Sequence, residues 1–498
     1  MSSNGEVVLP TRPKEHDAAN QCPVAMGSSL KSLFLMDEKY RNMNNGSFGT
    51  IPRAIQARQR AYQDMAEARP DPFIRYEYGS VLDESREAVA KLVNAPLEAT
   101  VFVPNATTGV NVVLRGLAGE WACEARPEGE GEGEGEGDEV PQNEILYFNT
   151  IYAGCGKSVD YVVETSGRRI GAREIGLGYP CEDEEVVRAL ERGIRESKEE
   201  GKRPRLAIFD VVSSLPGVCV PYPELIALCK REGVLSLVDG AQGVGMVGLD
   251  LGEADPDFFV SNCHKWLHVP RGCAVFVVPV RNQGMLPSTL PTSHGYEPRR
   301  GKRFSPLPPR EDGKSKYVEN FEFVGTVDNA PYLCAKDSIS WRREVLGGEQ
   351  KILGYMNKLA REGGDRVAEM VGTGEVLENK AGTLGESAMV NVALPLVVKG
   401  AGEEWASHVT SQGGKMKKLE TDPATLAVLE DAADAGRAVN WMLNQLIHEH
   451  NTFVALYVYR KRFWARISAQ VFLDMDDFVE TGKVLKEVCE RVGKGDWA

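Results

Sequence analysis

Much of what would mark this 498-residue chain as a membrane, secreted or nucleic-acid-binding protein is missing from it. No apolar run approaches the roughly 20 residues of a membrane-spanning helix. The opening MSSNGEVVLPTRPKEHD has no apolar stretch of the secretory kind, and the closing DWA matches no address signal. Ten cysteines are present, none of them in a CxxC pair, so neither a zinc ribbon nor a disulfide framework is indicated. A reducing compartment, the cytoplasm, is the expected location. A basic excess is absent too. The net charge of −14 argues against nucleic acid or anionic membrane as the main partner. That charge is uneven, because residues 124–139 hold eight acids and one Arg, seven of the fourteen excess negatives.

Metal-binding patterns are also scarce. His448 and His450 stand two apart, so on a helix they diverge. His264 and His268 have the i,i+4 spacing of a zinc pair, but Lys265 between them gives the segment a better explanation. No metal is expected.

The rest of the composition is that of a globular protein, with 42% hydrophobic and 26% charged residues. The length exceeds what one core usually organises, so at least two subdomains are expected. Residues 1–30 read as a disordered arm. From Val101 to Pro279, apolar runs (ILYFN, RLAIFDVVSS, LSLVDGAQ, DFFVSNCHKW, CAVFVVP) alternate with amphipathic stretches. Continuous apolar strands alternating with helices imply an α/β domain whose mostly parallel sheet is covered on both faces. It should span 31–334. From 335 to 498 the pattern changes to a long helix, a strand at AMVNVALPL, helices around Asn440, and strands FVALYVY and FWARIS. That is a smaller α+β domain. Two inserts interrupt the plan: an acidic Gly/Glu loop at 123–142 and a basic, Pro-rich loop at 297–316. Both read as surface loops.

Three segments carry chemistry. In SNCHKWLHVPRG an apolar strand runs into His264 and Lys265, and a Lys desolvated at a strand mouth becomes a usable amine nucleophile. A surface Lys opening a loop is the plain alternative. In LSLVDGAQ, Asp239 ends a buried strand, where open α/β sheets bind ligands. A carboxylate there pairs with a pyridinium nitrogen; a helix N-cap is the competing role. Gln242, three residues on, suits a phenolic oxygen. In NATTGVNVVLRGL, Thr107 and Thr108 open an apolar helix, which makes an anion site by dipole and amide geometry. Simple capping accounts for each Thr taken alone. The three in this chain order make the plain alternatives improbable together.

The ordered set NNGSFGTIP, DPFIRYEY, NATTGVNVVL, VDGAQ, NCHKW, FEFVGTVDN and ARIS resembles the class V aminotransferase-type, fold-type I pyridoxal-phosphate enzymes, in their isopenicillin-N-epimerase-like branch. It covers most of the chain from about Asn42 to Val488, outside the two inserts. The resemblance implies pyridoxal 5'-phosphate carried covalently on Lys265, which also moves the Cα proton. It implies Asp239 on the ring nitrogen, Gln242 on the ring oxygen, and Thr107, Thr108 and His264 around the phosphate. Thr326 would reach the phosphate region from the partner subunit of a homodimer. Arg466 of ARIS would bind the substrate carboxylate bidentately, with Asn45 a further substrate contact.

Two positions depart from that pattern. Many relatives place a His over the ring just after the strand matching ILYFN, whereas this chain has Thr150, which cannot stack; Tyr152 is the replacement candidate. Cys155 is expected near a helix N-terminus, where thiolates are stabilised; a buried small hydrophobe is the alternative. The implied reaction is β-elimination at a cysteine S-conjugate sulfoxide, with Cys155 handling the released sulfur. Epimerisation, transamination and cysteine desulfuration stand as alternatives on the same fold. A catalytically silent binding protein is disfavoured, since Lys265, Asp239 and Arg466 are all present.

Overall fold

The computed structural model describes residues 24–121, 143–167, 169–298, 300–301, 303–304, 313–400 and 426–498. The acidic loop expected at 123–142 falls wholly outside them, as do residues 1–23 and much of the basic loop. Residues 24–30, expected within the arm, pack against the rest of the chain. Val24 N–H donates to the Val345 carbonyl, Gly27 N–H to that of Val471, and Leu30 is buried.

The strands of the large sheet are β2 (Thr100–Val103), β3 (Asn143–Phe148), β4 (Ile170–Ile175), β5 (Arg203–Asp210), β6 (Leu235–Asp239), β7 (Phe258–Asn262) and β8 (Ala274–Val277). β1 (Arg41–Asn42) precedes them. The seven stand in the order β2-β8-β7-β6-β5-β3-β4. Pairing is parallel from β7 through β6, β5 and β3 to β4, and β8 alone runs against its neighbours β2 and β7. The strands are apolar on both sides because both sides are covered. Side chains alternate along each strand. Leu206 and Ile208 of β5, Leu237 of β6 and Val260 of β7 therefore share a core with helices Ala106–Trp121 and Ala153–Thr165. Ala207, Phe209, Val238 and Phe259 face the opposite core, with helices Asp183–Glu199 and Tyr222–Glu232. A Glu182/Glu185 capping box starts the first of these helices.

The smaller unit is a four-stranded sheet in the order β10-β9-β13-β12, formed by β9 (Met389–Val398), β10 (Ala427–Leu429), β12 (Ala455–Tyr459) and β13 (Arg462–Ser468). Helices Glu349–Val371 and Met475–Lys494 pack with it. It does not begin at residue 335. That position lies inside helix Ala330–Leu346, and β1, near the front of the chain, pairs in parallel with β11 (Thr452–Phe453). The N-terminal segment 41–49 thus bridges the two units. Among the described residues, no helix is long and apolar enough to cross a membrane.

Candidate active site

The alternation that builds the cores also aims the polar residues. Asp210 and Asp239 continue the Leu206–Ile208 and Leu237 positions to the carboxyl ends of β5 and β6, where they are register partners. β7 ends beside them and turns into the short helix Cys263–Trp266, which presents His264 and Lys265. The sheet therefore delivers Asp210, Asp239 and Lys265 to one edge, the ligand-binding edge of an open α/β sheet.

Lys265 is largely desolvated there. Burial lowers its amine to a pKa of about 8; the carboxylate of Asp239 pulls it back up, and Arg466 pushes it down again. Asp239 is 3% exposed. Its Oδ1 accepts from Ala241 N–H at 2.9 Å and its Oδ2 from the Cys155 thiol at 3.3 Å. Burial raises its carboxyl while those two bonds and Lys265 favour the ionised form.

Cys155 sits in the first turn of helix Ala153–Thr165, as the sequence suggests, but its chemistry is the reverse of the expectation. It is 1% exposed. Burial, then the charge of Asp239, push the thiol well above its usual range, so it is a protonated donor and no thiolate. Tyr152 precedes that helix and is half exposed, with its ring against Gly154.

Arg466 comes from β13 of the smaller sheet and is 2% exposed. Its Nη1 donates to the Ser214 carbonyl at 2.7 Å, and its Nη2 to Asn44 Oδ1 at 2.6 Å and Ser47 Oγ at 3.2 Å. Its Nε is buried without an acceptor. Burial lowers the guanidinium to about 10, against the upward pull of Tyr457. No carboxylate neutralises it among these partners, so it is a buried cation short of an anion. The adjoining turn is pinned from both sides, because Asn391 of β9 exchanges bonds of 3.0 and 2.8 Å with the backbone of Gly217.

The NNGSFG segment closes the site from the front. Asn45 Nδ2 donates to the Lys265 carbonyl at 2.8 Å, while its Oδ1 is buried without a partner. Gln242 Nε2 donates to the Gly46 carbonyl at 2.7 Å, and its Oε1 accepts from Trp266 Nε1 at 2.8 Å. One amide proton of Gln242 is therefore spent on bracing the backbone, and a second remains to donate. Gly49 has φ of +63°, and a Cβ there would run into the His264 carbonyl.

At the other end, helix Ala106–Trp121 points its N-terminus toward the strand ends. Asn262 Oδ1 accepts from Ala106 N–H at 2.9 Å and Asn105 Oδ1 from Thr108 N–H at 2.8 Å, which fixes the turn carrying Thr107 and Thr108. His264 Nδ1 donates to the Cys273 carbonyl at 3.0 Å, and burial lowers the ring to about 4, so it is neutral near pH 7. Thr326 is exposed on the chain's surface. Glu449, His450 and Glu487 approach one another, but Arg491 already pairs with Glu449, and they lie on other elements.

These residues fit pyridoxal phosphate. An amine lowered to about 8, a buried carboxylate and a helix N-terminus offer partners for its aldehyde, ring nitrogen and phosphate, and Arg466 Nε and Asn45 Oδ1 are buried groups still lacking partners.

Residues 194–299 match the aminotransferase class-V family model. The chain is 33% identical over 483 residues to the L-cysteine desulfhydrase-like protein lolT1 of Epichloe uncinata, covering 95% of this chain and 98% of that one. It belongs to the class-V aminotransferase family. The hercynylcysteine sulfoxide lyase of Schizosaccharomyces pombe is 26% identical over 463 residues, covering 93% and 98% of the two chains. Among solved structures, the cystine C–S lyase C-DES in complex with cysteine persulfide superposes with a TM-score of 0.61 at 17% identity, over 90% of this chain and 97% of that one. The last likeness establishes the fold-type I architecture. The motifs leave Asp210 and Ser214 out, and they assign no role to Asn44 and Ser47 of NNGSFGTIP. Asp210 carries the same signature as Asp239, an apolar strand closing on an acid.

Proposed function

We propose that this chain is a pyridoxal-phosphate-dependent carbon–sulfur lyase that removes the sulfur substituent from Cβ of a cysteine derivative. One observation carries the reading. A lysine amine brought to about 8, a buried carboxylate and a buried, anion-short guanidinium meet at one edge of a fold-type I sheet. The cofactor is pyridoxal phosphate, held on Lys265.

When bound, that cofactor supplies an electron sink for an amino acid joined to it at the amine. The chain's own residues do the rest. Arg466 holds the substrate carboxylate, taking up the acceptor its Nε lacks. Asp239 would pair its charge with the ring nitrogen. Lys265 would be the base for the Cα proton, burial having brought its amine down to about 8. The electron pair of the Cα–H bond would form the Cα–Cβ double bond, while the pair of the Cβ–S bond leaves with sulfur. Hydrolysis of the three-carbon remainder yields pyruvate and ammonia.

We take the substrate to be a cysteine S-conjugate sulfoxide, specifically hercynylcysteine sulfoxide, cleaved to ergothioneine, pyruvate and ammonia. The sulfoxide lyase match over 93% of this chain supports it. The sulfenic fragment then needs an external thiol as reductant, because Cys155 is buried against Asp239 and held protonated. The desulfhydrase-like relative at 33% favours a second reading, in which cysteine itself is cleaved to sulfide. We also take the enzyme as a cytoplasmic homodimer in which Thr326 serves the neighbouring subunit's site.

The test is to incubate purified protein with cysteine, with cysteine S-conjugates and with their sulfoxides, and to assay pyruvate. Pyruvate from sulfoxides well above that from cysteine supports the first substrate. Pyruvate and sulfide from cysteine alone selects the second, and pyruvate from none refutes the lyase.

A further inference from the structure

Two acids end neighbouring strands on the same face. Asp210 closes β5, Asp239 closes β6, and the register pairs them directly. They are 9% and 3% exposed. Adjacent parallel strands lie about 4.8 Å apart, and two buried like charges at such spacing do not both ionise without strong compensation.

Compensation is unequal. Asp239 accepts hydrogen bonds from Ala241 N–H and from Cys155 Sγ. Among the described residues, nothing donates to the Asp210 carboxyl. The titratable groups acting on Asp210 come from four elements: Asp239 on β6, Lys265 after β7, Cys155 on helix Ala153–Thr165, and Tyr179 after β4. Lys265 is the only cation of the four. Burial lowers its amine to about 8, so at pH 7 one positive charge faces two carboxyls, and joining the cofactor would remove that charge.

We infer that Asp210 is a positioning residue that holds the single proton of a buried Asp210–Asp239 carboxyl pair, so that Asp239 is the one left ionised. Burial and the charge of Asp239 push the Asp210 carboxyl well above its usual range, in agreement. Nature thereby keeps a neutral acid beside the charged one, and the hydrogen-bond donors decide which is which. The identity of what Asp239 faces rests on the cofactor assignment above; the location of the proton is a property of the chain alone.

The sign of the pH dependence follows. An acid whose folded pKa is raised costs stability progressively as pH rises from its unfolded value, near 4, toward the folded one. Asp210→Asn removes that cost and keeps the shape of the protonated acid. Full-length protein without added cofactor should show an infrared band of protonated carboxyl at pH 7 that is lost in Asp210→Asn. The variant's unfolding temperature should match wild type near pH 4 and exceed it increasingly toward pH 8. Asp210→Ser serves if the Asn variant does not fold. A band that survives the substitution, a wild type without one, or a variant that grows less stable as pH rises would overturn the inference. Failure of the cofactor reading shows separately, as protein that acquires no visible absorbance with pyridoxal phosphate.

Discussion

Cys155 Sγ lies 3.3 Å from Asp239 Oδ2, so a thiol in the first turn of a helix donates to the carboxyl that ends β6. A helix N-terminus stabilises an anion by about 0.3–1 kcal/mol, rarely 2. Desolvation of a fully buried group shifts a pKa by as much as 3–5 units, about 4–7 kcal/mol. Burial wins here, and the adjoining carboxylate adds to it.

Cys155→Ser keeps a donor to Asp239, and Cys155→Ala removes it. A hydrogen bond to a charged group contributes roughly 1.5–3 kcal/mol. The Ala variant should therefore lose at least about tenfold in kcat/KM relative to the Ser variant, read in the same pyruvate assay. Native wild-type protein at pH 8 should alkylate at Cys155 far more slowly than the unfolded chain, as peptide mass spectrometry can follow.

Cofactor uptake should depend on pH through Lys265. Only the neutral amine adds to an aldehyde, and at a pKa of about 8 roughly a tenth of it is neutral at pH 7, against about one part in three thousand for an ordinary lysine. The rate at which apoprotein gains visible absorbance with pyridoxal phosphate should rise from pH 6, pass its midpoint near 8 and level off above it. A rate still climbing steeply past pH 9.5 would mean that the amine is not perturbed.

Arg466→Lys should impair binding more than chemistry. Lysine keeps the charge but loses the fork that reaches Ser214, Asn44 and Ser47 while leaving Nε for an anion. Loss of a charged hydrogen bond is about 1.5–3 kcal/mol, so KM should rise roughly 10–150-fold with a smaller change in kcat.

Gly49→Ala should damage the fold and the site together. Its backbone, φ +63° and ψ 176°, is one that L side chains seldom adopt, and the new methyl meets the His264 carbonyl. Backbone strain of this kind costs about 1–3 kcal/mol before the clash is counted. A lower unfolding temperature and slower cofactor uptake are the expected readouts.

Asp239, which ends β6, and Lys265, in the turn after β7, are legible in the sequence because period-2 burial and a turn both leave marks within a few residues. The helix behind Thr107 and Thr108 was legible for the same reason. What was not legible depends on contacts across long separations. Cys155 is buried and meets a residue 84 positions away, and burial first and that carboxylate second raise its thiol. Arg466 is surrounded by Asn44, Ser47 and Ser214 from segments that no local pattern joins. The boundary at 335 fails similarly, since β1 pairs with β11 across four hundred residues. Asp210 was visible as a strand-ending acid in RLAIFDVVSS, but its role depends on its register with Asp239, which sequence spacing does not give.

The central claim is that Lys265 carries the cofactor, and chemical trapping tests it most directly. Purified protein treated with borohydride, digested and mapped by mass spectrometry should show one pyridoxyl-phosphate adduct, on the peptide containing Lys265. The Lys265→Ala variant should give none and should lose essentially all pyruvate formation. An adduct on another lysine, or wild-type turnover by Lys265→Ala, would contradict the account.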